Sequence, residues 1–390
     1  MKRNSEKKNN SYKITENRKK IFIFAIYNSI IDILLDMDIQ YTTNFFSELE
    51  SISKSIKYVR FPLTIFIVMY HCFCVLTPQD QPIYGAVTYP FGLIWGETGV
   101  PAFFFISGFL FFISQRTFNQ KIKSRVSTLL IPYVIWNSII LLSYVILMLV
   151  GHSLEIAGKS ISEYQLTDYL RAYIDRGEWD KGNGQPMLCP YWYIRNLIVL
   201  SLIAPLIQYI IKGVKGVFIL LALLIWWISL PYNGMIAQSL LFFCLGAFFS
   251  VNKISPLVPH ARIIKRTIYI LWGVFFSLDW LIHTCLPIQG GLYIHRIVLI
   301  TNIFILLQIC SKISMLAKSP PILEKSSFWI YTTHFPLIVL LRSTHLILND
   351  WEQFFLYWTS VFLITLFCMT TYVIGIRLTP SVMNILTGNR

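Results

Sequence analysis

Long apolar stretches alternate with short polar, mostly basic stretches along this chain. A bilayer core about 30 Å thick requires about 20 apolar residues per helix. Measured against that length, the pattern predicts an all-α polytopic membrane protein with about ten transmembrane helices. They are predicted near residues 56–76, 91–113, 128–150, 193–211, 217–231, 235–250, 267–284, 293–310, 326–348 and 354–376.

The distribution of basic residues predicts the orientation of these spans. The chain has 33 Lys and Arg residues, and most of them fall on one side of the membrane if the spans alternate. Four fall on the other side, in one long loop over residues 151–192. Because cytoplasmic loops carry the excess of Lys and Arg, both termini are predicted to be cytoplasmic.

Three segments differ in character. Residues 1–55 form a basic tail whose apolar run is interrupted by aspartates, which favours an interfacial helix over a signal peptide. Residues 56–378 are predicted to be the integral membrane domain. Residues 379–390 form a short cytoplasmic tail.

Composition supports the membrane assignment and excludes other classes. The chain is 55% hydrophobic and 13% charged, with mean hydropathy +0.59, whereas soluble domains are about 25% charged. The formal net charge is +14. The basic residues that produce it lie between apolar blocks, so membrane topology explains this charge better than nucleic-acid binding does. The seven cysteines show no CxxC or Cys/His spacing, so neither a metal site nor a disulfide framework is predicted.

The first predicted span carries Arg60 and His71. Their separation of eleven residues is about 20° past three full turns and about 16 Å along the axis, so both lie on one helix face. An arginine at the membrane edge suits phosphate binding, and a histidine at mid-depth suits general-base chemistry. A snorkelling arginine and a packed histidine are the alternative.

The second predicted span begins with Glu97 and contains Ser107 before a glycine. Glu97 can orient an imidazole from the first span, or lie unpartnered at the headgroup level. Ser107 lacks a G-x-S-x-G frame, so close helix packing explains it better than nucleophilic chemistry.

Other ionisable side chains fall in the outer halves of the predicted spans. This depth bias predicts a hydrated cavity that opens to the outside, because lone charges facing lipid are unfavourable; a headgroup position is the alternative for each. Aromatics such as Trp192 lie nearby and suit either sugar stacking or an aromatic belt. On the inner side, a basic loop can bind phosphates, although ordinary inner loops look alike. The outer residues are Arg195, Asp279, His283, His295, Arg296, Arg342 and His345, and the basic loop holds Lys121, Lys123 and Arg125.

Five sequence blocks together resemble the membrane-bound acyltransferase 3 family, the O-acetyl and succinyl transferases of bacterial surface polysaccharides. The resemblance covers about residues 55–378. The blocks, in order, are Arg60-x10-His71, GVPAFFFISGFLFF, a basic stretch into LLIPYVIW, PYWYIRNLIVL and IYTTHFPLI.

The resemblance implies a ten-helix enzyme of the bacterial inner membrane. It implies transfer of an acyl group, acetyl or succinyl, from cytoplasmic acyl-CoA to a hydroxyl of a surface polysaccharide or lipid-linked glycan, with no permanently bound cofactor. His71 and Arg60 are then the catalytic pair, and Ser107 lines the core. Arg125 is the donor-side basic residue, and His334 matches a histidine late in the family pattern. Thr128 departs from the pattern, where many members carry a second arginine.

The residues and the resemblance together suggest specific roles. Acyl-CoA phosphates are expected against Lys121, Lys123 and Arg125, with Glu97 orienting His71. Arg195, Arg296, His334 and Trp192 are the expected substrate-side residues. The competing interpretations are a transporter or flippase for a lipid-linked glycan, and a non-catalytic membrane sensor or scaffold.

Overall fold

The computed structural model describes residues 45–75, 82–152, 155–156, 159–176, 184–214, 216–229, 234–257, 261–285, 291–317, 319–342 and 349–389. These residues are nearly all helical. The strands among them form one antiparallel hairpin, Glu155–Ile156 (β1) with Lys159–Ser160 (β2). The interfacial helix predicted within residues 1–55, apart from residues 45–55, and the side chain of His345 lie outside the described residues.

The described residues include fifteen α-helices, which are numbered in chain order and named below by their bounds. They are α1 Phe45–Val75, α2 Pro82–Tyr89, α3 Gly96–Ile113, α4 Phe118–Arg125, α5 Ile131–Leu149, α6 Leu166–Arg171, α7 Trp192–Leu202, α8 Ala204–Val214, α9 Gly216–Ile228, α10 Gly234–Val251, α11 Arg262–Thr284, α12 Gly291–Leu316, α13 Pro321–Arg342, α14 Asp350–Leu378 and α15 Pro380–Thr387.

By length and composition, six helical stretches in the described residues can cross a membrane, or up to seven if a bent pair counts as one span. The bent pair is α7 with α8, which meet at 65°, and α9 and α10 are shorter apolar helices. The chain is therefore an all-α polytopic membrane protein. The six stretches are Phe45–Val75, Ala86–Ile113, Phe118–Leu149, Arg262–Thr284, Gly291–Leu316 and Trp351–Leu378.

The chain divides into two compact units. The smaller comprises residues 1–50 with 253–255, and the larger comprises 51–252 with 256–390. In the smaller unit, the Ser255 hydroxyl donates to the Glu48 carboxylate, and the Lys253 ammonium lies 5.7 Å from the Phe45 ring centroid.

Helix α1 begins at Phe45, before the span predicted to start at residue 56. The preceding residues include Glu48, Glu50 and Lys54, which are good helix formers. Helix propagation does not stop where the apolar run stops, so the helix extends beyond the predicted span and through the predicted boundary at residue 55.

Side-chain contacts define the direction of α13 relative to α1. Arg60 of α1 pairs with Glu324 near the start of α13, and the His71 ring lies 5.3 Å from the His334 ring further along. In both helices the residue of the second contact lies further along the chain than the residue of the first. Helices α1 and α13 therefore run in the same direction.

Helix α12 runs opposite to α1. The Ser51 and Ser311 hydroxyls are 2.8 Å apart, and the Ser55 hydroxyl donates to the Leu307 carbonyl at 2.5 Å. Later residues of α1 thus meet earlier residues of α12.

Helix α14 runs opposite to α13. The Trp329 indole donates to the Thr371 hydroxyl at 3.0 Å, and the Thr333 hydroxyl contacts the Cys368 sulfur at 3.1 Å. The beginning of α1 beyond residue 50 and the end of α14 therefore lie toward the same end of this group of helices.

Helices α3 and α10 pack at backbone contact through glycines. A Cβ on Gly108 would lie 2.1 Å from the Phe243 carbonyl oxygen, and one on Gly246 would lie 2.0 Å from that of Phe105. Small residues at such crossings let two backbones approach closely. This contact holds Ser107, next to Gly108, at a fixed position.

The segment between α5 and α7 packs against α5 through a small apolar cluster that includes Leu141, Ile156 and Ile161. Within this segment, the Lys159 ammonium lies 2.7 Å from Asp168 Oδ2, which also accepts from the Gln165 backbone N–H. These donors favour the carboxylate and hold the Asp168 pKa below its usual value.

Candidate functional site

A cavity of about 810 Å³ lies between α1, α3, α4, α7 and α13. Its charged lining is strongly unbalanced, with five basic side chains and one carboxylate. Such a cavity favours an anionic ligand. The charged lining residues are Arg60, Arg116, Lys121, Arg125, Lys325 and Glu324.

Arg60 and the carboxylate of Glu324 form an ion pair at the wall of this cavity. The distance from Arg60 Nη1 to Glu324 Oε1 is 2.9 Å, and both side chains are partly exposed. Thr64, one turn further along α1, also lines the cavity and donates to the Arg60 carbonyl at 2.9 Å. The face that α1 presents to α13 therefore includes Arg60 and His71, as their spacing predicted, and Thr64 lies near Arg60 on the cavity side.

Helix α4 carries the three predicted donor-side basic residues. Thr117 starts the helix with a capping box to Gln120. Lys121 and Arg125 lie over the Phe111 ring, at 5.1 and 5.7 Å from its centroid, and both line the cavity. Lys123 faces a separate shallow depression instead.

That depression has a volume of about 480 Å³ and shares two lining residues with the main cavity, Arg116 and Ser124. The structure therefore separates Lys123 from Lys121 and Arg125, although the three are close in sequence.

Hydroxyl-bearing side chains line one part of the cavity wall. Ser107 Oγ lies 3.3 Å from the Tyr193 hydroxyl oxygen, and Tyr331 lines the cavity beside them. Tyr331 stacks on Tyr191 with ring centroids 5.9 Å apart, and Tyr191 stacks on Tyr133 at 5.8 Å. The sequence block PYWYIRNL thus supplies cavity-side tyrosines.

Two histidines lie next to Tyr331. Its ring centroid is 6.2 Å from that of His334, and the His334 ring is 5.3 Å from that of His71. His334 is fully buried and His71 is half-buried. Neither histidine lines the main cavity, so Tyr331 separates the pair from it.

Glu97 contacts a different histidine from the one expected. Its Oε2 lies 3.0 Å from His295 Nε2, and His295 Nδ1 lies 2.8 Å from Asp279 Oδ2. Asp279 in turn lies 3.0 Å from His283 Nδ1. Glu97 therefore joins α3 to α11 and α12. Glu97 was expected to orient His71; the histidine that it contacts in the structure is His295, because α12 packs beside α3 at this level.

The predicted substrate-side arginines have local partners. Arg296 is buried, donates to the backbone carbonyls of Trp227 and Ser229, and lies over the Trp226 ring at 5.1 Å. It therefore satisfies carbonyls where α9 ends.

Arg195 donates to the Ile174 carbonyl and to the Asn196 side chain. Trp192 packs on Phe104 with ring centroids 6.1 Å apart. Neither Arg195 nor Trp192 lines the main cavity. The structure therefore does not bring the four predicted substrate-side residues together.

Several cavity residues escaped the sequence analysis. Arg116 and Lys325 belong to the inner-side basic residues that topology alone accounts for, and the sequence pattern did not single out Tyr193 or Tyr331. Glu324 carried a signal, because a lone carboxylate in a basic inner segment is unusual. No group of three or more potential metal ligands occurs among the described residues.

Long apolar helices and a cavity lined mainly by basic side chains define a polytopic membrane protein with a cationic cavity. Residues 53–374 match the model of the acyltransferase domain. The chain therefore belongs to the acyltransferase 3 family and is an O-acyltransferase of the membrane.

One curated relative supports this assignment. The chain is 24% identical over 369 residues to the succinoglycan biosynthesis protein ExoH of Rhizobium meliloti (strain 1021), covering 87% of this chain and 93% of the relative. No solved structure matches the chain significantly.

Proposed function

We propose that the protein transfers an acetyl or succinyl group from cytoplasmic acyl-CoA to a hydroxyl of a surface polysaccharide or lipid-linked glycan. The observation that carries the proposal is the main cavity, whose cationic wall lies beside the Ser107 and Tyr193 hydroxyls. A coenzyme A thioester carries phosphates at one end and an uncharged thioester at the other, and the basic and hydroxyl-lined parts of this wall are complementary to these two parts.

In this proposal, Lys121, Arg125 and Arg116 bind the phosphates of the donor, and charge-assisted hydrogen bonds supply most of the affinity. The pantetheine arm extends along the cavity toward Ser107. Lys123 contributes from the neighbouring depression. The donor is a co-substrate that leaves after each turnover.

His71 acts as the general base in the proposed reaction. It takes the proton of the acceptor hydroxyl while the oxygen attacks the thioester carbon. The carbon–sulfur bond then breaks, and the thiolate leaves with that proton. The Ser107 and Tyr193 hydroxyls are placed to stabilise the oxyanion. Because Tyr331 separates His71 from the cavity, its ring must turn aside during transfer.

The proposed topology has ten spans with both ends of the membrane domain in the cytoplasm. The directions of α1, α12, α13 and α14 support it, because α1 and α14 run in opposite directions, as the first and last of ten spans would. The basic residues around the cavity support a cytoplasmic opening. By the same proposal the protein lies in the bacterial inner membrane.

The acceptor belongs to the same proposal. The name of the relative connects it to synthesis of a polysaccharide, succinoglycan. Attack by a sugar hydroxyl on the thioester fits the neutral, hydroxyl-rich part of the cavity wall.

Replacing His71 by Ala tests the proposal. Without the base, acyl transfer to the glycan should fall at least 100-fold, a loss in the range that general-base catalysis supplies. Mass spectrometry of the surface glycan, and release of free coenzyme A from acetyl- and succinyl-CoA by the purified protein, measure it. His152→Ala is the matched control, because His152 is an exposed histidine beyond the end of α5.

The same experiment distinguishes a transferase from a transporter or flippase. Loss of acyl groups with normal amounts of exported polymer supports the transferase. Loss of the polymer itself would indicate a transporter or flippase, and an unchanged glycan would contradict both.

A further inference from the structure

His334 has a buried nitrogen that the structure leaves without a partner. Its Nδ1 lies 2.9 Å from the Ile330 carbonyl oxygen one turn earlier in α13. A carbonyl only accepts, so Nδ1 carries the proton and Nε2 carries a lone pair. Nε2 has no hydrogen-bond partner among the described residues, and the side chain is fully buried.

A buried polar atom without a partner costs about 1–3 kcal/mol and calls for an explanation. Of the rings that surround His334 in the described structure, Phe335 has no polar hydrogen. Tyr331 directs its hydroxyl to the Pro190 carbonyl. His71 is the remaining neighbour with an N–H to donate, and its ring centroid is 5.3 Å away.

We propose that His334 is the positioning residue of His71. When the neighbouring His71 ring turns toward it, Nε2 accepts a hydrogen bond from one ring nitrogen of His71, which leaves the other nitrogen of His71 unprotonated and available to the acceptor hydroxyl. The inference rests on the proposed function and adds the group that sets the tautomer of the base. A base oriented by a third group is the arrangement that catalytic triads use.

A neutral imidazole suits this role at this position. Glu97 is the carboxylate that was expected to orient His71, and it contacts His295. A second imidazole fixes the tautomer without burying a negative charge, which is costly in a low-dielectric environment. It still stabilises the imidazolium that His71 becomes when it takes the hydroxyl proton. That proton passes on to the leaving thiolate, so His334 neither gains nor loses a proton over the cycle.

The backbone supports the geometry. The contact of Nδ1 with the Ile330 carbonyl holds the His334 ring in one orientation, because the carbonyl belongs to the rigid helix α13. Around the pair, Val68, Ile330 and Ile338 form part of a buried apolar cluster between α1, α13 and α14. Water has little access to compete for Nε2.

Two conservative variants test the proposal. His334→Gln places an amide oxygen near the position of Nε2 and keeps an acceptor for His71. His334→Asn reaches only the position of Nδ1 and keeps the contact with Ile330. We expect His334→Gln to retain at least a tenth of wild-type kcat and His334→Asn to lose at least 100-fold in kcat, with the KM for acyl-CoA unchanged in both.

Each result decides the proposal. Equal activity of the two variants, or a loss confined to KM, would overturn it, because a merely structural histidine would not distinguish the two nitrogens. An inactive wild-type protein would instead contradict the proposed function. Thermal unfolding of both variants in detergent shows whether they fold.

A second measurement needs no active variant. In wild-type protein labelled with ¹⁵N-histidine, the signal that disappears in His334→Gln should show a protonated Nδ1 and an unprotonated Nε2. A protonated Nε2 at neutral pH would overturn the proposal. If His334→Asn does not fold, the Nε2 signal of His334 in His71→Ala decides the question: it should shift when the donor ring is removed, and an unchanged signal would overturn the proposal.

Discussion

Glu324 places one carboxylate in a cavity that otherwise carries basic side chains. It pairs with Arg60 at 2.9 Å, and both groups remain partly exposed. Solvent-exposed pairs contribute about 0.2–1 kcal/mol, so the ion pair does little for stability. Under the proposed function its larger effect is on the donor, because the carboxylate repels phosphates and occupies a guanidinium that could otherwise bind them.

Replacing Glu324 by Gln should therefore tighten donor binding. We expect the KM for acyl-CoA to fall about two- to fivefold, which corresponds to the loss of an exposed ion pair, and the dependence of KM on salt to steepen. Steady-state kinetics at two ionic strengths measure both effects.

Glu163→Gln is the matched control for this change, because Glu163 is exposed and lies outside the cavity. It should leave KM unchanged. A higher KM in Glu324→Gln would show that Glu324 holds Arg60 in a binding position instead of opposing the donor.

At the scale of elements, helices α3 and α10 meet at backbone contact. This contact bears directly on the cavity wall. Gly108 follows Ser107, and Gly246 faces it from α10 at backbone distance. Since the two backbones meet here, the position of Ser107 in the cavity wall depends on how closely α10 approaches.

Gly246→Ala should push these helices apart. Its new Cβ would lie 2.0 Å from the Phe105 carbonyl oxygen, and forced overpacking costs about 1–3 kcal/mol. We expect a lower unfolding midpoint in detergent and reduced acyl transfer. Gly273→Ala in α11 is the control, because nothing lies within 4 Å of its Cβ; it should be neutral or slightly stabilising. Equal midpoints for the two variants would contradict the packing argument.

At the scale of the whole molecule, the helix directions and the distribution of basic residues are two independent observations on the membrane topology. The contacts show that α1 and α13 run together while α12 and α14 run oppositely. In the proposed topology, the charge pattern places the end that holds Arg116, Lys121 and Lys325 in the cytoplasm. Both observations are consistent with an even number of crossings.

Cysteine labelling tests this topology. In a cysteine-free variant, a membrane-impermeant maleimide should label His152→Cys in intact cells and Asn119→Cys only after permeabilisation, since both positions are exposed. Labelling of Asn119→Cys in intact cells would place the cavity opening outside and contradict the proposed cytoplasmic donor.

Much of the site could be predicted where the information is local. The spacing of Arg60 and His71 on one helix predicted a shared face, and α13 lies along that face. Lys121 and Arg125 were predicted from a short basic loop and line the cavity. Helix periodicity and charge clusters are properties of neighbouring residues, so the sequence displays them directly.

The roles of Glu97, Arg195 and Arg296 depend on partners far along the chain. Depth in the membrane suggested that these side chains share a cavity. Instead Glu97 contacts His295 and Arg296 binds the carbonyls at the end of α9, because helix rotation and packing select partners that depth alone does not distinguish.

The sequence by itself determined that this protein is helical, spans a membrane and belongs among acyltransferases, because apolar length, charge asymmetry and short ordered motifs are written in consecutive residues. Only the tertiary structure decided that His71 faces His334 and that Glu324 enters a basic cavity. These contacts join helices more than 250 residues apart, and the packing of side chains between helices selects them.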